Sequence, residues 1–272
     1  MKLIEMTWPE IAEAAPRTVA VLPLAAIEQH GLHLAVSTDT ALITAIAEQV
    51  EAQLKSDIVL CPTQVYGSSH HHLGFNGTMS IGFETYIRVV IDLVESLLSA
   101  GFRRIVLLNG HGGNITPGRQ ALTMLSDRHD DTLQPNIALA TYWEMDAPAY
   151  SGEPPMESGA LSHACEYETS MMLHLYPERV HLDRVQTAQR TPKNGYIPWM
   201  IDEPYRGVTM SKRTHFVVST GASGQPELAA PEKGAHLIGR AVAATTEFLD
   251  QFKTWPLMPD LRDEANQSKG DK

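Results

Sequence analysis

Carboxylates and imidazoles recur in this sequence at spacings that suit a metal ion. Glu28 and His30 stand two residues apart just after an apolar run, and Asp39 follows where a helical pattern begins. Oxygen and nitrogen ligands supplied by separate elements are what hydrolytic Zn²⁺, Mn²⁺ and Fe²⁺ sites use. These three residues are therefore predicted ligands. An ordinary polar loop is the alternative for Glu28 and His30 taken alone.

A second candidate is His111, which lies in a glycine-rich turn over residues 109–114. Glycines on both sides of a histidine let the backbone turn sharply and let a ligand approach closely. The pattern favours a metal-binding or catalytic histidine. A glycine-rich turn can instead cradle phosphate, but the spacing matches neither the dinucleotide pattern nor the P-loop, and no lysine follows.

Residues 163–170 hold a third group of chemically active side chains. The spacing predicts that His163 and Glu166 share one face of a helix, while Glu168 points well away from both. A solvated helix start, with acidic residues near its positive end, is the alternative. Cys165 has no second cysteine nearby, which favours a small buried side chain over a thiolate ligand.

A run rich in histidine, residues 69–78, forms the fourth feature. Consecutive side chains of an extended loop point in different directions, so one or two of these histidines at most can reach a common site. We expect His72 on the substrate side of the site. A surface loop is the alternative.

The elements that must position these residues alternate along the chain. Apolar runs predict strands at residues 18–24, 58–62, 104–108 and 136–143, and helical patterns start near residue 38 or cover residues 82–100, 163–176 and 233–252, with another helix near Pro117. This order predicts an α/β fold, a mainly parallel β-sheet flanked by helices on both faces. Ligands bind beyond the carboxyl ends of such strands, where the motifs lie.

Composition limits the partners. The chain of 272 residues has 43% hydrophobic content and no linker-like stretch, which predicts one domain over residues 1–259 and a polar tail over 260–272. A net charge of −11 disfavours nucleic acid and anionic membranes and suits a small-molecule substrate. Two cysteines, no signal-peptide pattern and no run of ~20 apolar residues predict a cytoplasmic protein without a membrane span.

Taken together, and in this order, the motifs closely resemble the creatininase (creatinine amidohydrolase) family over roughly residues 20–180. The resemblance implies a single-domain α/β fold, a homohexamer and two divalent metal ions per chain, Zn or Mn, with Fe also chemically suitable. It further implies that Glu28 and His111 bind one ion, that His30 binds the other, and that Asp39 bridges the two. The motifs that carry it are residues 28–31, 38–40, 75–78, 109–114 and 163–170.

Two departures from the family pattern matter. Creatininase carries a glutamate ligand where this chain has Gly113, and Glu166 is predicted to replace it as the fifth metal ligand. Creatininase also carries a tyrosine where this chain has Gly112. The resemblance thus assigns Gly112 and Thr78 to substrate binding, the role that the histidine-rich run already gives to His72.

These observations lead to one hypothesis of function. We expect a hydrolase that cleaves a C–N bond in an amide, cyclic amide or formamide through a hydroxide held by the two metals, with His163 giving a proton to the departing nitrogen and Glu168 holding its ring. Within the family, a formamide deformylase and a peptidase that trims a peptide precursor are the alternatives. A non-catalytic metal-binding member is the alternative of a different class.

Overall fold

Four parallel strands form the central sheet of the chain, for which a computed structural model describes residues 1–129, 133–145, 156–158, 161–188 and 211–261. The strands are β1 (Val19–Leu24), β2 (Ile58–Leu60), β3 (Arg104–Asn109), β4 (Leu133–Gln134), β5 (Asn136–Thr141) and β6 (Met258–Pro259). In the sheet the strands lie in the order β2, β1, β3, β5, and a separate antiparallel pair joins β4 and β6.

Both faces of the sheet are buried, which explains why its strands read as continuous apolar runs. Successive side chains of a strand point to opposite faces. In β1, Val19 and Val21 belong to one core cluster, whereas Ala20, Leu22 and Leu24 belong to the other. The sheet therefore separates two hydrophobic cores, each of which needs a layer of helices over it.

Helices supply these two layers. The helices are α1 (Trp8–Ala14), α2 (Thr38–Leu54), α3 (Phe83–Ser99), α4 (Ile115–Arg128), α5 (Tyr142–Met145), α6 (Glu166–Leu175) and α7 (Pro231–Phe252). Side chains from α2, α5, α6 and α7 build the first core, and side chains from α1, α3 and α4 build the second. The predicted α/β sheet with helices on both faces is confirmed.

The two central strands, β1 and β3, end side by side, and this brings two of the motifs together. Leu24 pairs with Asn109, and the N–H of Gly110 donates to the carbonyl of Leu24 at 2.8 Å. A Cβ atom on Gly110 would lie 2.6 Å from Cβ of Ile43 in α2. Only glycine lets the first turns of α2 approach the end of β3 this closely.

Two elements differ from the sequence prediction. The fifth strand ends at Thr141, before α5, and α6 begins only at Glu166. Ala164 has a φ of +52°, a left-handed conformation that a helix cannot contain. His163 therefore precedes α6, and the prediction that His163 and Glu166 share a helix face is wrong.

None of the helices in the described ranges is long and apolar enough to cross a membrane. Most of the predicted tail, residues 262–272, lies outside the described residues, as do residues 189–210 of the segment between α6 and α7.

Candidate metal centre

Four of the predicted ligands meet beyond the carboxyl ends of β1 and β3. Glu28 and His30 follow β1, His111 follows β3, and Asp39 lies in the first turn of α2. All four side chains are buried, with at most 4% of each residue exposed. The donor atoms of Glu28, His30 and Asp39 lie within 4.8 Å of one another. This spacing is compatible with ligands around a shared cation.

The ring of His30 is oriented by a main-chain acceptor. Its Nδ1 lies 3.2 Å from the carbonyl oxygen of Glu28, which can only accept, so Nδ1 carries the proton. Nε2 then turns its lone pair toward Oδ1 of Asp39 at 3.2 Å and Oε1 of Glu168 at 3.7 Å. A histidine ligand with its second nitrogen bonded to a carbonyl is the usual arrangement at metal sites.

His111 is held in the same way. Its Nε2 lies 3.1 Å from the carbonyl oxygen of Ser68, and its N–H donates to the side-chain oxygen of Asn109 at 3.2 Å. The Nδ1 atom therefore faces Oδ2 of Asp39 at 3.0 Å with a lone pair. Asp39 thus lies between two imidazoles, each of which presents a nitrogen to one of its oxygens.

Two orphaned polar atoms test whether a metal fits. While the rings of His30 and His111 are neutral, both turn a lone pair toward Asp39, so Nε2 of His30 and Oδ2 of Asp39 are buried without a hydrogen-bond partner. Leaving buried polar atoms unpaired costs about 1–3 kcal/mol each. A divalent cation between carboxylate and imidazole donors would satisfy both atoms. The donor set of buried nitrogen and oxygen atoms fits a metal of the zinc and manganese type.

The electrostatics of the centre also favour a cation. Burial alone would raise the pKa of Asp39, but His30 and His111 outweigh it and hold the pKa well below its usual range. Burial alone would lower the pKa of His111, but Glu28 and Asp39 raise it to about 9. Burial raises the pKa of Glu28 to about 7. The carboxylates thus draw positive charge into the cluster, either as protons or as metal ions.

Two further histidines lie against Glu28 and form a neutral layer beside the cluster. Oε1 of Glu28 is 3.5 Å from Nε2 of His72 and 3.4 Å from Nδ1 of His163. Burial and neighbouring imidazoles lower the pKa of both rings well below the usual value. His163 also places Nε2 2.7 Å from the carbonyl oxygen of Gln29, so its Nδ1 carries a lone pair that points toward Glu28.

The structure does not bring Glu166 to the cluster. Its carboxylate accepts a hydrogen bond from Nζ of Lys233 at 2.5 Å, and others from the N–H groups of Ser158 at 2.7 Å and Glu157 at 3.2 Å. Burial alone would raise its pKa, but the bonds from Lys233 and these N–H groups outweigh it and lower the pKa. The ligand role predicted for Glu166 is corrected because its oxygens are already bound on the other side of α6.

Glu168 lies where Glu166 was expected. Its Oε2 accepts from the N–H of Ala164 at 2.6 Å, and its donor atoms fall within 4.8 Å of those of His30 and His163. The two glutamates are two residues apart on a helix and so point in nearly opposite directions. The ring of His163, which Glu168 was expected to hold, is held by the carbonyl of Gln29 instead.

The adjacent glycines near His111 have different surroundings. A Cβ on Gly113 would lie 2.1 Å from the carbonyl oxygen of Ser68 and 2.4 Å from Nε2 of His111. A Cβ on Gly112 would have nothing within 4 Å. The space at Gly113 is therefore filled by the chain itself, whereas the space at Gly112 is open. Thr78, also predicted on the substrate side, accepts a hydrogen bond from the N–H of Gln29 at 3.1 Å.

Sequence reasoning missed several polar groups behind the ligands. Ser69 donates its hydroxyl to Oε2 of Glu28, and His71 stacks on His111 with ring centroids 5.8 Å apart. Thr214, which is 142 positions away from His72 in the sequence, lies 3.0 Å from Nδ1 of that ring. The histidine-rich run did signal this loop, but no local pattern identifies which atoms face the site.

Comparison with known proteins assigns the family. The family model described as "Creatininase: Creatinine amidohydrolase" matches residues 4–249. A mycofactocin precursor peptide peptidase of Mycobacterium tuberculosis is 30% identical over 248 residues, covering 88% of this chain and 86% of the relative. A creatinine amidohydrolase of Pseudomonas putida is 33% identical over 195 residues, covering 66% of this chain and 74% of the relative.

Solved structures agree with the sequence match. A mutant creatininase described as the Zn-Zn type superposes with a TM-score of 0.76 at 25% identity, covering 93% of this chain and 98% of the other. A structure described as "Creatininase Mn" gives a TM-score of 0.73 at 25% identity, covering 93% and 99%.

Proposed function

Because the chain belongs to the creatininase family, whose members are amidohydrolases, we propose that it hydrolyses a C–N bond of a small-molecule amide at a centre of two divalent metal ions. The observation that carries this proposal is the pair of orphaned atoms, Nε2 of His30 and Oδ2 of Asp39, inside a buried cluster of carboxylates and imidazoles. Burying two unpaired polar atoms lowers the stability of a protein unless a cation binds between them.

The ligand pairing follows the family resemblance, with Glu168 added because its donor atoms lie close to those of His30. Glu28 and His111 would hold one ion, His30 and Glu168 would hold the other, and Asp39 would contact both. Support for Asp39 as the shared ligand comes from its two oxygens, which face His30 at 3.2 Å and His111 at 3.0 Å. Glu168 takes the role that the sequence prediction gave to Glu166. Zinc and manganese both suit this donor set.

Bound divalent ions would polarise the substrate carbonyl and make a nearby water more acidic. The protein contributes the geometry around them. His30 and His111 are oriented by main-chain carbonyls, and Glu28 is fixed by the hydroxyl of Ser69. A centre held this rigidly does not have to reorganise during the reaction, which is a main source of catalytic rate.

His163 is the proposed group that moves protons, through a single atom. Its Nε2–H is committed to the carbonyl of Gln29, so only Nδ1 can accept a proton from the attacking water and deliver it to the departing nitrogen. Its lowered pKa keeps Nδ1 free at neutral pH. Water adds to the carbonyl carbon, the C–N bond then breaks, and the products are a carboxylic acid and an amine that carries the proton returned by His163.

Trimming of a peptide is a second candidate function. The peptidase relative is matched over 88% of this chain, a larger share than the 66% matched by the creatinine amidohydrolase of P. putida. A Cβ atom at Gly112 would meet nothing within 4 Å, so the chain does not obstruct a longer substrate at this position beside His111. Both functions use the same C–N chemistry at the same metals. A homohexameric, cytoplasmic enzyme remains the prediction for assembly and location.

Hydrolysis by the metal-reconstituted protein tests the proposal. Protein loaded with Zn²⁺ or Mn²⁺ is incubated with creatinine, cyclic and linear amides, formamides and short peptides, and ammonia, amine or formate release is measured. We expect turnover of at least one class and two metal ions per chain. The Asp39→Asn variant is expected to lose both metals and turnover together. A folded protein that binds no metal would contradict the proposal.

A further inference from the structure

Gln29 lies between the two proposed metal ligands Glu28 and His30, and its side chain contacts the two histidines that flank Glu28, His72 and His163. Its Oε1 accepts from the N–H of Gly31 at 2.9 Å, and its Nε2 lies 3.1 Å from the carbonyl oxygen of Gly221. Rotating the amide by 180° would bring two acceptors together at Gly221. The main chain on both sides therefore fixes which end of the amide donates.

The donating end meets His72. Nε2 of Gln29 lies 2.7 Å from Nδ1 of His72 and 3.0 Å from Nε2 of His163. The proton on Nε2 of His163 goes to the carbonyl oxygen of Gln29, so the two amide hydrogens are left for His72 and Gly221. An amide NH₂ can only donate, so Nδ1 must accept and His72 must carry its proton on Nε2. The hydroxyl of Thr214 lies 3.0 Å from the same Nδ1 and can donate to it as well.

The consequence appears on the other side of the ring. Nε2 of His72 is 3.5 Å from Oε1 of Glu28 and therefore presents an N–H to that carboxylate. The opposite tautomer would present a lone pair to the same oxygen, which is repulsive. The amide of Gln29 thus determines which ring nitrogen of His72 is protonated, and so what His72 presents to Glu28.

We propose that Gln29 is a positioning residue that holds His72 in its Nε2–H tautomer and so keeps an N–H donor directed at Glu28. This inference rests on the proposed function. Its main-chain carbonyl sets the tautomer of His163 in parallel, so one residue determines the proton positions of both histidines that flank Glu28. Two residues of the segment after residue 210 help to hold this arrangement, because Thr214 contacts His72 and Gly221 contacts Gln29.

The imidazole nitrogens can be observed directly. ¹⁵N NMR of histidine-labelled protein distinguishes a protonated ring nitrogen from a bare one, and loss of the signal in His72→Phe identifies the resonances of His72. In the wild type we expect a bare Nδ1 and a protonated Nε2. In Gln29→Glu, whose carboxylate can only accept, Nδ1 should become protonated. An unchanged His72 in that variant would overturn the proposal, whether or not a substrate is known.

Activity supplies a second readout once a substrate is in hand. Substitution of groups behind metal ligands costs about 10–100-fold in activity, and we expect Gln29→Met to lower kcat by that factor at full metal content. In the His72→Phe background the same change should have no further effect, because Gln29 acts through His72. If the double variant instead loses kcat by the product of the two single losses, Gln29 has a general structural role and the inference is overturned. Absence of turnover in the wild type would instead count against the proposed function alone.

Discussion

Glu166 and Lys233 form a buried ion pair, with Oε1 2.5 Å from Nζ, on the side of α6 that faces α7. Lys233 also bonds Glu157 at 2.7 Å and the carbonyl of Leu228 at 2.9 Å. This pair therefore joins two helices and the chain at residues 156–158. Its carboxylate, Glu166, is the one that the sequence predicts as a metal ligand, and here it is bound to Lys233 instead. Glu168, two residues later, is left to face His30.

The first prediction compares these two glutamates as matched isosteric variants. Glu168→Gln should lose one metal ion per chain, because the amide is a poor ligand, while the amide oxygen can still accept from the N–H of Ala164. Glu166→Gln should retain both ions but lower the free energy of unfolding, by less than the about 3–5 kcal/mol of an uncompensated buried charge, because Lys233 keeps Glu157 and the carbonyl of Leu228. Metal content by mass spectrometry and chemical denaturation measure the two effects.

The opposite pattern would decide against this assignment. If Glu166→Gln lost metal while Glu168→Gln kept it, α6 would have to present its other face to the centre in solution. The variant Glu178→Gln, at an exposed glutamate after α6, provides the control, and it should change neither quantity.

The sheet and its central ligands could be predicted from local patterns. Apolar runs mark β1 and β3, parallel strands bring their carboxyl ends to one edge, and Glu28 and His111 follow those ends. The choice between Glu166 and Glu168 could not be predicted in this way. It depends on Ala164, whose positive φ delays the start of α6 and is unusual for alanine.

Contacts between distant parts of the chain also exceed what a sequence pattern can give. Lys233 meets Glu166 across 67 positions, and Thr214 meets His72 across 142. Nothing near either residue marks its partner. The second layer of the site, including the amide of Gln29, depends on these packed contacts and becomes visible only in the fold.

The second prediction uses the two adjacent glycines. Gly113→Ala would place Cβ against the carbonyl of Ser68 and the ring of His111, so we expect overpacking of about 1–3 kcal/mol and weaker metal binding. Gly112→Ala should leave stability and metal content unchanged, because its Cβ enters open space. If substrate occupies that space, KM should rise in Gly112→Ala. Equal destabilisation by both variants would contradict the geometry.

The third prediction concerns pH. The folded chain raises the pKa of Glu28 from 4.5 to about 7 and that of His111 from 6.5 to about 9. A raised pKa contributes stability below the unfolded value and loses it as pH rises through the folded value. For metal-free protein, this pair therefore becomes less stabilising between pH 4.5 and 9.

Metal ions reverse this trend because they replace the protons that the ligands must release. The increase in Tm on adding Zn²⁺ should therefore be larger at pH 8 than at pH 6, when each sample is compared with the same protein in chelator. His111→Gln should reduce this pH dependence. An increase in Tm that is equal at both values would mean that binding displaces no protons from the centre.

The fourth prediction isolates proton transfer from metal binding at His163. Replacement by glutamine keeps a hydrogen-bonding side chain but removes the nitrogen that accepts and returns the proton, so kcat should fall by about 10²–10⁴-fold. Metal content should stay full, because the proposed ligands are elsewhere. His163 also lies within reach of Glu28 and His72 as a possible ligand group, so metal must be measured on the same preparation. Lost metal would make His163 a ligand, and turnover within a few-fold of wild type would move the proton-transfer role to another residue.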